Sequence, residues 1–207
     1  MTDAYPAKSK YKNAAKADHY ANDRFRGGVE GREERMVKQL LGLCGDFETT
    51  LDSPCGTGRI TQLLLDTKVT ALDISDDMLS HVRELGEGIT TQQGDIENLP
   101  FPDANFDVVL SIRFLHHLPN EELLKSCLTQ LARVSKRYVI VTYFDTFAYQ
   151  HLRRVLKNRR SDRPRHRHSR PWATFRKIAA EAGLRPVKRL CSAPLISEQW
   201  FVLFEKV

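Results

Sequence analysis

Leu51-Asp52-Ser53-Pro54-Cys55-Gly56-Thr57-Gly58-Arg59, with Asp73 fifteen residues beyond Gly58, decides the reading of this chain. An apolar run over residues 47–51 leads into a short turn with two glycines. Residues 60–65 carry a helical pattern, and a second apolar run, 69–72, ends on the acid Asp73. Strand, turn, helix and strand in that order make a unit that holds a nucleoside. Glycine presents no side chain, so a ligand can approach the backbone closely. A carboxylate at the tip of the second strand can accept from both hydroxyls of a ribose.

Two ligand classes use that geometry: dinucleotides and S-adenosylmethionine. The dinucleotide fingerprint asks for three glycines spaced G-x-G-x-x-G. Gly56 and Gly58 satisfy the first two, but Thr61 stands at the third. Asp52 precedes the glycines at the end of the first strand, where it would repel a pyrophosphate. It suits a ligand that carries an amino group and a positive sulfur, which favours S-adenosylmethionine.

The stretch 47–143 resembles the class I S-adenosylmethionine-dependent methyltransferases. That family's glycine motif, an acid, a spacer and G-x-G-x-G, is matched by Asp52-Ser53-Pro54-Cys55-Gly56-Thr57-Gly58, with Pro54 in place of the first glycine. Its ribose-binding acid and following apolar residues match Asp73-Ile74-Ser75 and Met78-Leu79. Its adenine-binding acid matches Gly94-Asp95-Ile96, and its fourth-strand segment matches Phe106 to Ser111 followed by Leu115-His116-His117-Leu118. The resemblance implies an α/β fold: a three-layer Rossmann-like sandwich with a mostly parallel seven-stranded sheet that ends in an antiparallel C-terminal hairpin. It also implies S-adenosylmethionine as cofactor, held by Asp52, Pro54, Gly56, Gly58, Asp73, Ile74, Met78, Asp95, Ile96 and Ser111. Asp52 would meet the amino group, Asp73 the ribose and Asp95 the adenine amine. The Ile96 amide would meet the adenine ring, and Ile74 and Met78 would flank that ring. Arg113, just past strand four, falls at the mouth of the acceptor pocket. His116 and His117 are candidates for a catalytic base. The family often carries a histidine in this loop where no base is required, so a structural role is expected of both. A helix-start residue facing solvent is one of the open readings of Arg59, and Asp73 is expected at a strand tip outside the core.

At 207 residues and 23.8 kDa the chain reads as one methyltransferase domain, 1–207, with an N-terminal arm over 1–28 and a basic insertion over 145–171. No apolar run approaches the roughly 20 residues of a membrane span. The lysine-rich start lacks the apolar stretch of a secretory signal. Cys44, Cys55, Cys127 and Cys191 have neither zinc-site nor compact disulfide spacing, so a reducing cytoplasm and no metal are expected. The net charge of +6 is local. Residues 151–170 hold nine Lys or Arg against one acid, Asp162, which leaves the remainder of the chain at −2. Arginine pairs well with phosphate and carboxylate through its planar fork. The insertion is therefore expected on the acceptor side, with Arg163, Arg165 and Arg167 reading an anionic group. Leu152, Val155 and Leu156 are spaced for one apolar stripe on a short helix there.

Helices are expected at 30–43, 58–66, 75–85, 120–134 and 171–182. Strands are expected at 49–53, 69–73, 89–93, 106–112, 138–144, 186–191 and 199–204. A bare link, Ser135-Lys136-Arg137, joins the fourth helix to the fifth strand. The last two strands follow one another without a crossover helix and must pair antiparallel or lie apart.

The reading that results is a methyltransferase acting on a small-molecule or sugar- or lipid-linked acceptor of anionic character. Two alternatives stand beside it. One is an RNA methyltransferase that uses the basic segment. Against it, Ser111-Ile112-Arg113-Phe114 replaces the Asn/Asp-Pro-Pro-Tyr/Phe signature of amine methylation. The other is a non-catalytic S-adenosylmethionine-binding protein.

Overall fold

A computed structural model describes residues 30–158 and 167–207. The arm at 1–28, Arg163 and Arg165 lie outside the described residues. Seven strands form one sheet in the order β3-β2-β1-β4-β5-β7-β6. They are β1 (Thr49–Asp52), β2 (Lys68–Asp73), β3 (Thr90–Gln93), β4 (Phe106–Ser111), β5 (Ser135–Phe144), β6 (Leu184–Leu190) and β7 (Gln199–Lys206). The first five run parallel, and β7 lies antiparallel between β5 and β6. The chain builds outward from β1 to β3, then returns to place β4 on the other side of β1. That reversal opens a crevice at the carboxyl ends of β1 and β4, where open α/β sheets bind their ligands.

Alternation along the strands supplies a core on each face. Val108 and Leu110 of β4 pack with Val37 and Leu40 of α1 (Glu30–Leu41) and with Ile140 and Leu203. Val109, between them in sequence, packs on the opposite face. Its partners include Leu124, Leu128 and Leu131 of α3 (Glu121–Val134) and Phe175 and Ile178 of α5 (Trp172–Glu181). The helix α2 (Asp76–Arg83) covers β2 through Leu79 and Val82 on Ala71. Its cap is Ser75, whose hydroxyl accepts from the Met78 amide at 3.4 Å, and Asp76 and Asp77 fill its first turn. Asn120 caps α3 in the same way, accepting from the Leu123 amide at 2.9 Å. The remaining helix, α4 (Tyr149–Asn158), begins the basic insertion.

Two expectations are corrected. No α-helix spans 58–66, where a single 3-10 turn, Thr61–Leu64, stands instead. Gly58 has φ +82, which is outside helical space, and Thr67 closes the turn by donating to the Leu64 carbonyl at 2.7 Å. The link at 135–137 is strand rather than loop. Ser135 already pairs with Phe106, and a register shift between Phe106 and Val108 accommodates it. Lys206 holds this start by donating to the Ser135 carbonyl at 2.9 Å, and Lys136 pairs with Asp107 at 2.8 Å. The C-terminal hairpin is antiparallel, with Gly183 ending α5 at φ +77.

Candidate functional site

The crevice is built from the ends of β1, β2 and β4. The Cys55 amide donates to the Leu72 carbonyl and the Ser53 amide to the Leu110 carbonyl, both at 2.9 Å. These bonds fix the glycine turn between the three strand ends. Gly56 turns at φ +56, and a Cβ built there meets nothing within 4 Å. The turn therefore faces open space at Gly56. Gly58 answers a different demand. A Cβ at that position would fall 2.6 Å from Leu85 and 3.1 Å from Val82, so this glycine is needed to seat α2 against the turn.

Asp73 is buried and holds the turn together. One carboxylate oxygen accepts from the Gly56 amide at 2.9 Å and the other from the Ser75 amide at 3.0 Å. The expectation of an acid outside the core is thus corrected, because Asp73 ties the glycine turn to the start of α2. Each oxygen keeps a further lone pair for a ligand. Burial pushes the Asp73 carboxyl up, opposed by those amide bonds.

Asp52 is fully buried and receives a hydrogen bond from the Thr61 hydroxyl at 2.8 Å. Burial raises its carboxyl to about 7; the Thr61 bond and the nearby Arg59 charge pull it down, and Asp73 adds to the rise. Thr61, the position that denies this chain a dinucleotide fingerprint, thus serves as partner to the acid.

Three polar atoms in this region are buried without a hydrogen-bond partner among the described residues: Ser53 Oγ, Ser111 Oγ and Arg59 Nη1. Two of them close the carboxyl ends of β1 and β4. Buried polar groups normally find partners, so a cluster of unsatisfied ones beside an open turn marks a place for a polar ligand. The donor set suits the amino-acid end of S-adenosylmethionine, with an acid for its ammonium and hydroxyl and guanidinium donors for its carboxylate.

Farther along the sheet edge, the Gly94 amide donates to the Asp73 carbonyl at 3.0 Å, which joins the segment carrying Asp95 to the end of β2. Asp95 is half-buried and accepts from the Glu97 amide at 3.0 Å. Ile96 is part of the core. Ile74 is half-buried and Met78 buried, on the α2 side of the same opening, and Pro54 is half-buried in the turn.

Arg59 does not face solvent, and that reading of it is set aside. It donates to Glu33 of α1 at 2.6 Å, and Arg113 reaches the other Glu33 oxygen at 3.4 Å. Arg113 holds φ +63, and its amide donates to the Thr142 hydroxyl. Sequence reasoning missed Glu33. Its signal was present: it stands four residues before Val37 and seven before Leu40, which puts an acid on the buried face of α1.

The crevice is lined differently beyond the ends of β4 and β5. His116 is buried, with its ring stacked on Phe144 at 4.0 Å and against His117 at 4.1 Å. The chain leaving the insertion crosses here: the His168 amide donates to the His116 carbonyl at 2.7 Å and the Arg170 amide to the Phe144 carbonyl at 2.8 Å. Arg167 is exposed, with its guanidinium 5.8 Å from the Phe144 ring centre. Arg170 is spent on structure, donating to the Leu118 and Asn120 carbonyls. Below them the Tyr143 hydroxyl donates to buried Asp145 at 2.8 Å, and Arg189 lies over the rings of Trp172 and Trp200. No cluster of three or more potential metal ligands occurs among the described residues.

Residues 50–137 match the family described as Methyltransferase domain. A malonyl-[acyl-carrier protein] O-methyltransferase of Erwinia pyrifoliae is 39% identical over 97 residues, covering 44% of this chain and 35% of that protein. A fatty-acid O-methyltransferase of Mycolicibacterium smegmatis is 36% identical over 90 residues, covering 41% of this chain and 32% of that protein. The chain thus spans about a third of the length of the curated relatives it matches. The crystal structure of magnesium protoporphyrin IX methyltransferase from Synechocystis with bound S-adenosylmethionine superposes with a TM-score of 0.73 at 17% identity, covering 100% of both chains. The match over residues 50–137 thus shows a likeness to methyltransferase domains, and the seven-stranded sheet closed by an antiparallel β7 has the Rossmann-like fold of the S-adenosylmethionine-dependent methyltransferase it superposes on.

Proposed function

We propose that this chain, as one methyltransferase domain over 1–207, transfers the methyl group of S-adenosylmethionine to an anionic small-molecule or sugar- or lipid-linked acceptor. The observation that carries the cofactor's seat is the group of unsatisfied buried donors, Ser53, Ser111 and Arg59, around an open Gly56 and beside Asp52. Asp73 has lone pairs left for the ribose hydroxyls, and Asp95 stands next along the edge for the adenine amine. Ile74 and Met78 flank the ring. Bound there, the cofactor supplies a methyl on a sulfonium, an electrophile that needs no activation by the protein.

The chain's own task is then to place the acceptor. Arg113 and Arg167 border the opening, and Arg163 and Arg165 belong to the same basic segment. A carboxylate or phosphate arrives already ionised, so no side chain need remove a proton. That agrees with His116, whose ring is packed between Phe144 and His117. Both named relatives act on acids or their carrier esters by name, which supports an oxygen acceptor. The free cysteines suit a reducing compartment, and we place the protein in the cytoplasm.

The test is label transfer from methyl-labelled cofactor into fractionated cell extract. Uptake into small acids or lipid-linked species is expected. Uptake confined to RNA would replace this reading with the polymer one, and binding of the cofactor without transfer to any fraction would leave only a binding protein.

A further inference from the structure

Residues just beyond the carboxyl end of β5 expose large apolar side chains: Phe147 is 77% exposed, Tyr149 60% and Leu152 55%. The loop before β7 exposes two more, Leu195 at 79% and Ile196 at 55%. These are one surface. The Tyr149 amide donates to the Leu195 carbonyl at 2.8 Å and the Gln150 amide to the Ile196 carbonyl at 3.1 Å. Because β4 and β5 are parallel and β7 starts opposite Phe144, this surface stands on the same edge of the sheet as the crevice. It lies two strands from β1, on the order of 10 Å away.

The charge beside it is positive at Arg153. The helix α4 is strongly amphipathic, with exposed Arg153 next to Leu152, and it opens the segment that carries nine Lys or Arg against one acid. Exposed apolar tips on a short amphipathic helix and an adjoining loop, with exposed Arg153 among them and a predominantly basic sequence following, match the interfacial zone of an anionic bilayer. Headgroups meet the arginines, and the tips enter the acyl boundary. A bilayer accepts tips of uneven height, whereas a folded protein partner needs a complementary shape. No helix among the described residues is long and apolar enough to cross a membrane, so the contact is one of lying on the surface.

We propose that Phe147, Tyr149, Leu152, Leu195 and Ile196, with Arg153, dock this protein on an anionic membrane surface with the mouth of the crevice toward the lipid. The docking is independent of which acceptor is methylated.

The full chain is sedimented with vesicles of phosphatidylcholine alone and of phosphatidylcholine with phosphatidylglycerol, at low and high salt. The wild type should partition onto the anionic vesicles, release with salt, and bind the neutral ones weakly. Combined Phe147→Ser, Leu152→Ser and Leu195→Ser should lower partitioning by roughly tenfold or more. Cofactor affinity and the unfolding midpoint should be unchanged, since all three side chains are exposed. Failure to sediment with anionic vesicles at low salt would overturn the proposal, as would partitioning indifferent to the triple substitution. Equal affinity for soluble poly-glutamate, insensitive to that substitution, would leave charge alone as the cause and overturn it too. So would a lipid-free dimer that the substitution dissociates, which would assign the face to a second copy. Sedimentation needs no methyl transfer, so failure of the catalytic reading leaves this result standing.

Discussion

Arg59 Nη2 lies 2.6 Å from Glu33 Oε2, joining the residue after the glycine turn to the first described helix. Both side chains are largely withdrawn from water, and Arg113 approaches the second Glu33 oxygen from the far end of β4. One acid thereby holds two arginines that border the crevice, and the trio keeps one positive charge in excess.

Glu33→Ala should therefore cost stability beyond that of an exposed ion pair. Removing one partner of a buried pair leaves the other charge uncompensated, at about 3 kcal/mol or more. Urea denaturation should show the loss, and Glu33→Gln should recover part of it by keeping an acceptor. Cofactor affinity should fall with Glu33→Ala as Arg59 loses its anchor. An unchanged midpoint in Glu33→Ala would show that the pair is not held in solution.

The two glycines of the turn should respond differently to alanine. At Gly58 a Cβ would collide with Leu85 and Val82, and φ +82 is strained for any L side chain. Gly58→Ala should lower stability by roughly 2 kcal/mol or more, from overpacking and backbone strain together. Gly56→Ala meets no atom, so only the backbone cost of roughly 1–2 kcal/mol applies. Its larger effect should be on cofactor affinity, because the new methyl would occupy the open side of the turn. Paired denaturation and calorimetry separate the two, and equal losses of both kinds in both variants would refute the assignment.

Most strand positions were legible because turn residues or caps bound the apolar runs, while the parallel sheet followed from the family resemblance. Asn120 and Ser75 mark their helices, and the missing crossover after 190 leaves the last two strands either antiparallel or apart, of which the structure has the first. The glycine turn was legible because its residues are irreplaceable locally. What the sequence hid depends on distant partners. Spacing puts Glu33 on the buried face of its helix, but its partners Arg59 and Arg113 stand 26 and 80 positions away. The false helix at 58–66 arose because its apolar spacing is helical, while Gly58 and the inward demand of Asp52 on Thr61 forbid it. Asp73 looked like a free strand tip because nothing in sequence shows that two amides close on it.

Asp73→Ala should weaken S-adenosylmethionine binding by about 1.5–3 kcal/mol, as for hydrogen bonds to a charged group. It should also destabilise the protein by about 1–2 kcal/mol, since the Gly56 and Ser75 amides lose their acceptor. Asp73→Asn should keep more stability than affinity, because its carbonyl can serve one amide but not both plus a ribose. Calorimetry and thermal unfolding give both quantities. Normal affinity in Asp73→Ala would mean that the ribose lies elsewhere.

Cofactor binding should depend on pH through Asp52. Its carboxyl stands at about 7 in the folded protein because burial disfavours the charge. In the unfolded chain an aspartate titrates near 4. The folded state thus holds this proton more tightly. The advantage is fully present below about pH 4 and is lost as pH rises through 7, so Asp52 favours the fold in acid and burdens it above neutrality. Binding has the opposite sign. A cofactor with a positive amino group favours ionised Asp52, so below pH 7 it must expel a proton to bind. Affinity should fall toward tenfold per pH unit below about 6. Asp52→Asn should bind more weakly at pH 8 and lose most of that dependence. Asp73, also raised by burial, contributes any residual slope that the same variant exposes. Calorimetry in buffers of different ionisation enthalpy counts the protons directly. Release near zero at high pH that climbs toward one proton in acid supports the assignment; a count that does not vary with pH, or does not change in Asp52→Asn, removes Asp52 from the cofactor's seat.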